Sequence, residues 1–320
     1  MTGSTPTGGA RRILARLSLL ALLAGTTLAA TAHAAVLGPD DRDEADAFLS
    51  TTQETQFEGL GRIECLQAGS KGVSFNATGW VVGAADTVIT AAHTFFRRDR
   101  RGQTADVRDP DHCIFVLYNA DQSIREIANI RYAVSPWADR SVRGDGSFDF
   151  AVLKLARPLH ISRIPAVGTG GSIRPRVELL AFQSGVRQDQ RARVTRGHTQ
   201  AFPYSLVAPS EGSRVTDGSR LFASSANSSA GSSGGLYYDS RANVAFGVHI
   251  GTLCDTDAAA PAYDPMHCFN YGLRFDRRIL ATIDMVVRDN PAAEQVVRSD
   301  IPYPTAAATL LALAEDQSIS

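Results

Sequence analysis

Short runs of apolar and β-branched residues, separated by polar turn residues, recur along the chain from about residue 59. Runs of this length, with partial alternation of apolar and polar positions, are typical of β-strands. They lie at 61–66, 77–83, 87–92, 113–118, 150–155, 177–182, 235–238 and 244–250. The polar segment 239–243 joins the last two runs and predicts a hairpin. Many short strands without alternating helices predict an all-β sandwich or barrel.

Helical patterning is confined to the end of the chain. The apolar residues that recur there at helical spacing are Ile279, Leu280, Ile283, Val286 and Val287. Asp276 precedes them and stands where it can cap the start of the helix. Residues 305–316, which are rich in alanine and leucine, form a second helical candidate.

The first 34 residues have a different pattern from the rest of the chain. Three arginines stand before or at the start of an apolar run over 17–25, and Ala32-His33-Ala34 follows it. This order predicts a secretory signal peptide over residues 1–34. Because the apolar run is too short to span a bilayer, we expect no membrane anchor after its removal. The mature protein is then secreted or periplasmic.

Composition and charge narrow the range of functions. The chain has 320 residues, is 44% hydrophobic and 20% charged, and carries a formal net charge of −1. This length is sufficient for one large or two small domains. With so little net charge, we expect no nucleic-acid partner held by bulk electrostatics. The residues after the signal peptide, 35–57, are predicted to be an acidic leader or a propeptide.

The chain has four cysteines: Cys65, Cys113, Cys254 and Cys268. An even number in an exported protein indicates disulfides, and four cysteines allow three pairings. The local choice pairs Cys65 with Cys113 and Cys254 with Cys268. Zinc binding is the alternative, because His112 and His267 each precede a cysteine. No close Cys-x-x-Cys spacing supports zinc.

The segment 231–235, Gly-Ser-Ser-Gly-Gly, places Ser233 in a tight turn flanked by glycines. A serine hydroxyl attacks a peptide bond only with a base to take its proton and with N–H donors for the developing oxyanion. Gly231 lets the backbone turn so that its own N–H and that of Ser233 point into one oxyanion hole. Taken alone, the segment is equally compatible with an ordinary surface loop.

Two further residues have settings suited to a base and its orienting acid. His93 ends the segment Thr-Ala-Ala-His after a predicted strand, where small neighbours let its ring project into a cleft. Asp149 lies between two phenylalanines at the start of a predicted buried strand, where a carboxylate is costly unless it is hydrogen-bonded. An imidazole N–H is such a partner, and this bond fixes the tautomer that a general base needs. Taken singly, each residue also fits a structural role.

His93, Asp149 and Ser233 occur in this order, within the segments TAAH, DFAVLKL and GSSGG. With these motifs the chain resembles the trypsin/chymotrypsin-type serine endopeptidases over residues 58–288. The resemblance implies a Ser-His-Asp triad in the cleft between two antiparallel six-stranded β-barrels, and a C-terminal helix packed on the second barrel. It also puts Cys65 and Cys113 on neighbouring strands, which favours their pairing.

The resemblance further implies the domain boundaries and the activity. We expect the first β-barrel, with His93 and Asp149, at 58–165. The second barrel and the helix, with Ser233, are expected at 166–288, and a tail follows at 289–320. The expected activity is hydrolysis of protein or peptide substrates through an acyl-enzyme, by a monomer that requires no metal or organic cofactor.

Two other interpretations of the segment 231–235 remain. It satisfies the Gly-x-Ser-x-Gly elbow of α/β-hydrolases, and a secreted serine esterase of that type would follow. That fold requires a helix directly after the serine, whereas a hairpin is predicted here. The other interpretation is a catalytically inactive protein that uses the same fold as a binding module. The presence of all three triad residues and of Gly231 argues against it, since binding does not need them.

Two departures from the animal digestive members of the family bear on activation and specificity. Ser232 stands where those enzymes carry the aspartate that pairs with a newly cleaved N-terminus, so that activation switch is not expected. Asn227 stands where an aspartate selects arginine and lysine in trypsin-like members. Cleavage after basic residues is therefore not expected.

The primary specificity pocket binds the side chain that precedes the scissile bond. Its candidate residues are Asn227, Ser228, His249, Gly251 and Thr252. The segment 247–252 is similar to the Gly-[Ile/Val]-His segment of the staphylococcal glutamyl endopeptidases, in which the histidine reads an acidic side chain. His249 and the hydroxyls of Ser228 and Thr252 could hydrogen-bond a substrate carboxylate, more strongly with a protonated imidazole. The alternative is that His249 only lines the pocket and selects no charge.

Overall fold

The computed structural model describes residues 35–44, 56–66, 73–98, 104–169, 171, 173–183, 191–203, 214–254 and 261–298. In these ranges β-strands dominate, and an α-helix follows the last strand. No helix in the same ranges is long and apolar enough to cross a membrane. The predicted signal peptide, the helical candidate at 305–316 and most of the predicted tail lie outside the described residues.

The strands, in chain order, are β1 (Asp43–Glu44), β2 (Leu60–Leu66), β3 (Val73–Val81), β4 (Thr87–Thr90), β5 (Phe96–Arg98), β6 (Thr104–Val107), β7 (Cys113–Tyr118), β8 (Ile124–Val134), β9 (Ala151–Leu155), β10 (Arg174–Phe182), β11 (Ala192–Ala201), β12 (Leu221–Ser224), β13 (Leu236–Asp239), β14 (Val244–Cys254) and β15 (Cys268–Arg274). The helix, α1, spans Arg277–Val287. Each apolar run predicted from the sequence coincides with a strand, and the predicted hairpin joins β13 and β14.

The first barrel closes in the strand order β2-β3-β4-β9-β8-β7, and every pair is antiparallel. Side chains from these strands, such as Ile63, Phe115 and Leu153, form one buried cluster. Because the sheet closes on itself, each strand is paired on both sides. The pairing of β4 with β9 sets Thr90 opposite Ala151. His93 follows the end of β4 and Asp149 precedes the start of β9, so this pairing brings the two residues close together.

The second barrel has the strand order β11-β10-β13-β14-β15-β12 and is closed by the pairing of β11 with β12. The predicted fold class, all-β with two antiparallel six-stranded barrels, is therefore confirmed. Apolar side chains of both barrels meet in a shared buried cluster that includes Trp80 and Phe150 from the first barrel and Leu180 and Leu236 from the second. This cluster joins the two barrels.

Residues 35–44, the first described part of the predicted leader, run along the second barrel; we call them the N-terminal strap. Its strand β1 pairs with β11, with Asp43 opposite Val194. Leu37 is buried, and the Gly38 N–H donates to the Pro261 carbonyl at 2.9 Å. The acidic side chain of Asp41 is exposed, as expected of a charged segment. The strap thus adds both a strand and an apolar side chain to the second barrel.

Helix α1 begins as the sequence predicts, because the Asp276 carboxylate accepts a hydrogen bond from the Ile279 N–H at 2.9 Å. Its packing differs from the expectation that it lies on the second barrel, because its strand contacts are with β4 and β9 of the first barrel. The reason lies in the short connection from β15. Phe275 stacks on Trp80 of β3, with ring centroids 5.8 Å apart, and so directs the chain onto the first barrel.

The described start of the predicted tail also returns to the first barrel. The Ser135 N–H donates to the Gln295 carbonyl at 2.9 Å, and the Val297 N–H donates to the Ala133 carbonyl at 2.8 Å. The Val297 side chain is buried among the core residues of the first barrel. The segment after α1 therefore ties the C-terminal side of the chain to β8.

The strap contributes to the stability of the fold through Leu37, which is 6% exposed. We expect Leu37→Ala to lower the free energy of unfolding by about 2–4 kcal/mol, the usual cost of truncating a buried leucine. Ile173, which is 73% exposed, offers a matched control, and Ile173→Ala should change the stability by less than about 0.5 kcal/mol. The measurement is denaturant unfolding. Equal stability of the two variants would show that the strap does not belong to the folded unit.

Candidate active site

His93 and Asp149 are brought together by the pairing of their strands in the first barrel. His93 lies in a single turn of 3-10 helix, Ala92–Thr94, directly after β4. Asp149 follows another such turn, Gly146–Phe148, and precedes β9. Asp145 caps that second turn by accepting the Ser147 N–H at 2.9 Å. Since β4 and β9 are neighbours, the two side chains emerge side by side.

The Asp149 carboxylate contacts His93 through both of its oxygens. Oδ1 accepts the backbone N–H of His93 at 2.9 Å, and Oδ2 lies 2.8 Å from His93 Nδ1. A carboxylate accepts hydrogen bonds, so Nδ1 carries the proton and Nε2 keeps its lone pair. Asp149 is only 4% exposed, which shields this pair from solvent.

Ser233 reaches His93 from the second barrel. Its Oγ lies 2.7 Å from His93 Nε2, so three side chains form a continuous hydrogen-bonded series from Asp149 to Ser233. The residues that the sequence places far apart, in two different barrels, therefore converge in the cleft between them. This is the geometry in which an imidazole removes a proton from a serine hydroxyl.

The loop that carries Ser233 spans residues 225–235 and is shaped by its glycines. Gly231 and Gly234 have positive φ angles of 94° and 82°, which glycine adopts without strain. The Ser232 N–H donates to the Ser229 carbonyl at 3.0 Å, and the Gly235 N–H donates to the Ser232 carbonyl at 2.7 Å. Within the described part of the chain, no group accepts the N–H of Gly231 or Ser233. Both N–H groups are therefore available to a ligand.

Ser232 and the rest of this loop form local contacts. The Ser232 side chain is buried, and its Oγ accepts the Ser229 N–H at 3.1 Å. The aspartate of the digestive enzymes has a distant partner, whereas the neutral hydroxyl of Ser232 forms its hydrogen bond within the loop. Ser232 therefore has a local role in the shape of the loop.

Two of the residues predicted for the specificity pocket, Ser228 and Thr252, share one partner that the sequence did not identify, Asn270 on β15. Its Oδ1 accepts the Ser228 hydroxyl at 2.8 Å and also the Thr252 hydroxyl. Its Nδ2 donates to the Ala226 carbonyl at 2.8 Å. Asn270 is fully buried, so its amide holds the walls of the predicted pocket in place.

The strap also contacts this region. The Ala35 N–H donates to Asn270 Oδ1 at 3.1 Å, and the Ala35 carbonyl accepts from Asn270 Nδ2 at 2.8 Å. Asn227 binds the strap as well, because its Oδ1 accepts the Leu37 N–H at 2.6 Å and its Nδ2 donates to the Pro39 carbonyl at 2.8 Å. The Asn227 amide is thus engaged by the strap, although the sequence suggested a role in substrate binding.

His249 and Gly251 lie on β14. His249 is next to the nucleophile loop, since its carbonyl accepts the Gly234 N–H and its N–H donates to the Gly235 carbonyl, both at 2.8 Å. Gly251 packs against Tyr271, whose hydroxyl would lie 3.1 Å from an added Cβ. Of the five residues predicted for the pocket, Asn227, Ser228 and Thr252 therefore contact Asn270 or the strap. His249 and Gly251 lie on β14, beside the nucleophile loop.

The His249 ring is fully buried and has one hydrogen-bond partner among the described residues. Its Nδ1 lies 3.2 Å from the Tyr237 hydroxyl, and its Nε2 has no partner. Burial, and to a lesser extent the charge of His93, lowers the pKa of His249 from 6.5 to about 3. The imidazole is therefore neutral at neutral pH, and the extra strength that protonation would give to carboxylate binding is not available.

The cysteines form the two disulfides of the local choice. Cys65 on β2 is bonded to Cys113 on β7, and Cys254 on β14 is bonded to Cys268 on β15. Because each sulfur is in a disulfide, none can act as a thiolate ligand. The zinc alternative, which relied on the His-Cys pairs, is thereby removed.

The comparisons with known proteins agree with this fold. Residues 77–248, more than half of the chain, match the family of trypsin-like peptidase domains. A solved structure of a Glu endopeptidase in complex with MPD is similar with a TM-score of 0.53 at 12% identity, covering 80% of this chain and 99% of the other. A protease Anisep from Arthrobacter nicotinovorans has a TM-score of 0.49 at 17% identity, covering 73% and 98%. No curated protein matches the chain in sequence.

The two closed barrels define the fold of the chymotrypsin-like serine proteases. With the match over residues 77–248, the chain belongs to the trypsin-like peptidase family.

Gly234 is required where the nucleophile loop meets the first barrel. A Cβ at this position would overlap the Thr78 carbonyl oxygen and the Thr90 hydroxyl, and its positive φ disfavours other residues. We expect Gly234→Ala to lower the free energy of unfolding by about 2 kcal/mol or more. Gly171 has no atom within 4 Å of an added Cβ, so Gly171→Ala serves as the control and should be neutral. Indistinguishable unfolding curves for the two variants would contradict the close approach.

The low pKa of His249 predicts how the free energy of unfolding depends on pH. In the unfolded chain this histidine binds a proton as the pH falls below 6.5, whereas the folded protein resists protonation down to about pH 3. The folded state therefore loses stability on acidification across this window, by at most about 1.4 kcal/mol per pH unit. We expect His249→Asn to reduce the slope between pH 6.5 and 5. An unchanged slope would show that His249 is not the buried neutral group.

Proposed function

We propose that this chain is an exported serine endopeptidase in which Ser233 is the nucleophile, His93 the general base and Asp149 its orienting acid. The observation that carries the proposal is the continuous series of hydrogen bonds from Asp149 through His93 to Ser233. A disulfide-stabilised binding module has no need of this arrangement, and it would have no reason to leave two N–H groups beside Ser233 without acceptors.

The proposed reaction begins when a peptide carbonyl enters the cleft beside Ser233. His93 Nε2 takes the hydroxyl proton while Oγ bonds to the carbonyl carbon, and the carbonyl oxygen becomes an oxyanion. The N–H groups of Gly231 and Ser233 stabilise that oxyanion, a contribution worth about a hundredfold or more in rate for each donor. His93 then gives its proton to the leaving amine, and the peptide bond breaks to leave an acyl-enzyme.

Water completes the cycle by the same route. His93 takes a proton from water while the water oxygen bonds to the acyl carbon. The bond between that carbon and Ser233 Oγ then breaks, Oγ takes the proton back from His93, and the product leaves with a new carboxyl group. Asp149 stabilises the imidazolium in both halves, because its two oxygens hold the ring and the backbone of His93. The residues proposed for these steps are all in the chain itself, and the substrates are proteins or peptides.

Action outside the cytoplasm is part of the same proposal. The predicted signal peptide, at residues 1–34, is one support. The two disulfides are another, since such bonds persist mainly in oxidising compartments. We propose that the protein works there as a monomer.

Preference for an acidic residue before the scissile bond is the finer part of the proposal. Burial raises the pKa of Tyr237, so its phenol stays protonated and can donate to His249 Nδ1. The His249 proton then sits on Nε2, which is a donor without a partner among the described residues. This N–H can hydrogen-bond a substrate carboxylate. The Ser228 and Thr252 hydroxyls, which donate to Asn270 in the structure, join it by turning their protons to the substrate, while Asn270 Oδ1 keeps the bond from the Ala35 N–H. Neutral donors, rather than an ion pair, would select the acidic side chain.

Labelling with a serine-reactive fluorophosphonate tests catalysis. The folded wild-type protein should be labelled, and Ser233→Ala should not. Ser225→Ala is the matched control, because the Ser225 Oγ also lies 3.0 Å from a histidine, His198 Nδ1, but no carboxylate among the described residues orients that ring. Labelling should survive this control. Absence of labelling in folded wild type would favour the inactive binding module.

The acidic preference is tested by kcat/KM for peptides that differ only in a glutamyl, glutaminyl, leucyl or phenylalanyl residue before the scissile bond. We expect the glutamyl peptide to be cleaved fastest. Because His249 is neutral above about pH 3, the ratio of glutamyl to glutaminyl cleavage should stay constant between pH 6 and 8. A ratio that falls as the pH rises through 6.5 would indicate an imidazolium reader instead. Faster cleavage of the leucyl or phenylalanyl peptide would refute the preference.

A further inference from the structure

We propose that Thr78, on β3 of the first barrel, is the positioning residue that sets the nucleophile loop of the second barrel in its reactive conformation. The inference rests on the proposed function for its catalytic consequence. Its structural part concerns how two separately closed barrels hold a 2.7 Å contact between His93 and Ser233.

Thr78 contacts both residues of the proposed oxyanion hole. Its N–H donates to the Ser233 carbonyl at 2.8 Å, and its hydroxyl donates to the Gly231 carbonyl at 2.8 Å. The same hydroxyl oxygen accepts the N–H of Phe182, at the end of β10, at 2.9 Å. Thr78 is fully buried, so these three bonds to the second barrel are protected from water.

The loop needs such an external anchor because its own sequence does not fix it. Glycine adopts positive and negative φ with similar ease, and glycines flank Ser233 on both sides. The bond from the Thr78 hydroxyl fixes the plane of the peptide after Gly231, and the bond from its N–H fixes the plane after Ser233. These two planes flank the peptide that carries the Ser233 N–H, and the first of them adjoins the peptide that carries the Gly231 N–H. With its neighbouring peptides held, each donor keeps its direction without cost at the moment of reaction.

Thr78 is itself held by the strand that carries the general base. The Thr90 hydroxyl on β4 donates to the Thr78 carbonyl at 2.7 Å, and His93 follows three residues after Thr90. The positions of His93 and of the Ser233 loop are therefore set from the same pair of threonines. This common reference explains how base and nucleophile meet although they belong to different barrels.

Substitutions at Thr78 separate the hydroxyl from the backbone contact. Thr78→Val keeps the shape and the N–H but removes both bonds of the hydroxyl, the one to the Gly231 carbonyl and the one from the Phe182 N–H, and Thr78→Ser restores the hydroxyl. We expect Thr78→Val to lower kcat by about tenfold to a hundredfold, with KM for a peptide substrate nearly unchanged, because misplacement of about 1 Å has costs of this order. Thr78→Ser should recover most of the loss. The pH midpoint of kcat should stay that of wild type, since His93 and Asp149 are held within the first barrel.

A second readout is independent of activity. The amide protons of Ser232 and Gly235 are hydrogen-bonded within the loop, and that of Gly234 is hydrogen-bonded to the His249 carbonyl on β14, so their hydrogen exchange reports the order of the loop. Thr78→Val should speed their exchange, and Thr78→Ser should not. The matched control is Thr87→Val, a buried threonine of β4 whose hydroxyl contacts only Asp86 among the described side chains. It should leave both kcat and the exchange of these amides as in wild type.

The outcomes are distinguishable. Equal kcat and equal loop exchange in Thr78→Val and Thr87→Val would overturn the positioning role. Faster loop exchange in Thr78→Val, with wild-type protein inert toward peptides and fluorophosphonate, would support positioning and refute the proposed function. If Thr78→Val does not fold, comparison of Thr78→Ser with Thr78→Ala, which differ by one oxygen atom, decides the same question.

Discussion

The hydrogen bond between His93 Nε2 and Ser233 Oγ is the interaction on which the rest of the site depends, because its partners belong to different barrels. Within the first barrel, the pairing of β4 with β9 fixes His93 against Asp149. Nothing in that pairing locates Ser233. Its position comes from the shared apolar cluster and from the close backbone approach of Gly234 to Thr78 and Thr90. The contacts that join the barrels therefore matter as much as the three reacting side chains.

A second constraint acts on the region of the predicted specificity pocket. The buried amides of Asn227 and Asn270 hold the strap and the pocket residues in one hydrogen-bonded network. An unpaired amide in such a place would cost stability, so the strap and the pocket walls stabilise each other. The strap, which the sequence predicted to be part of an acidic leader, thus has a structural role in the second barrel. In the proposed function, substrate selection is left to His249 and to the Ser228 and Thr252 hydroxyls, which share Asn270.

The sequence predicts best what depends on local patterns. The motifs around His93, Asp149 and Ser233 predicted residues that the fold brings within hydrogen-bonding distance, and the apolar runs predicted strands. Four barrel strands, β8, β11, β12 and β15, were missed. In β8 and β11 charged residues such as Arg131 and Arg193 interrupt the apolar pattern. Asn270, Thr78 and the strap were missed for another reason, since their partners lie far away in sequence. The prediction that α1 packs on the second barrel was wrong, because the stack of Phe275 on Trp80 directs the chain onto the first barrel. The neutrality of His249 follows from burial, which one sequence does not reveal.

The central claim is that Ser233 becomes acylated during turnover. The most direct measurement is mass spectrometry of the intact protein after mixing with an activated ester and quenching in acid, where protonation of the general base slows deacylation. The account predicts one acyl group per molecule, located by peptide mapping on Ser233, and its absence in Ser233→Ala. An acyl group on another residue, or none on folded wild-type protein, would contradict the account.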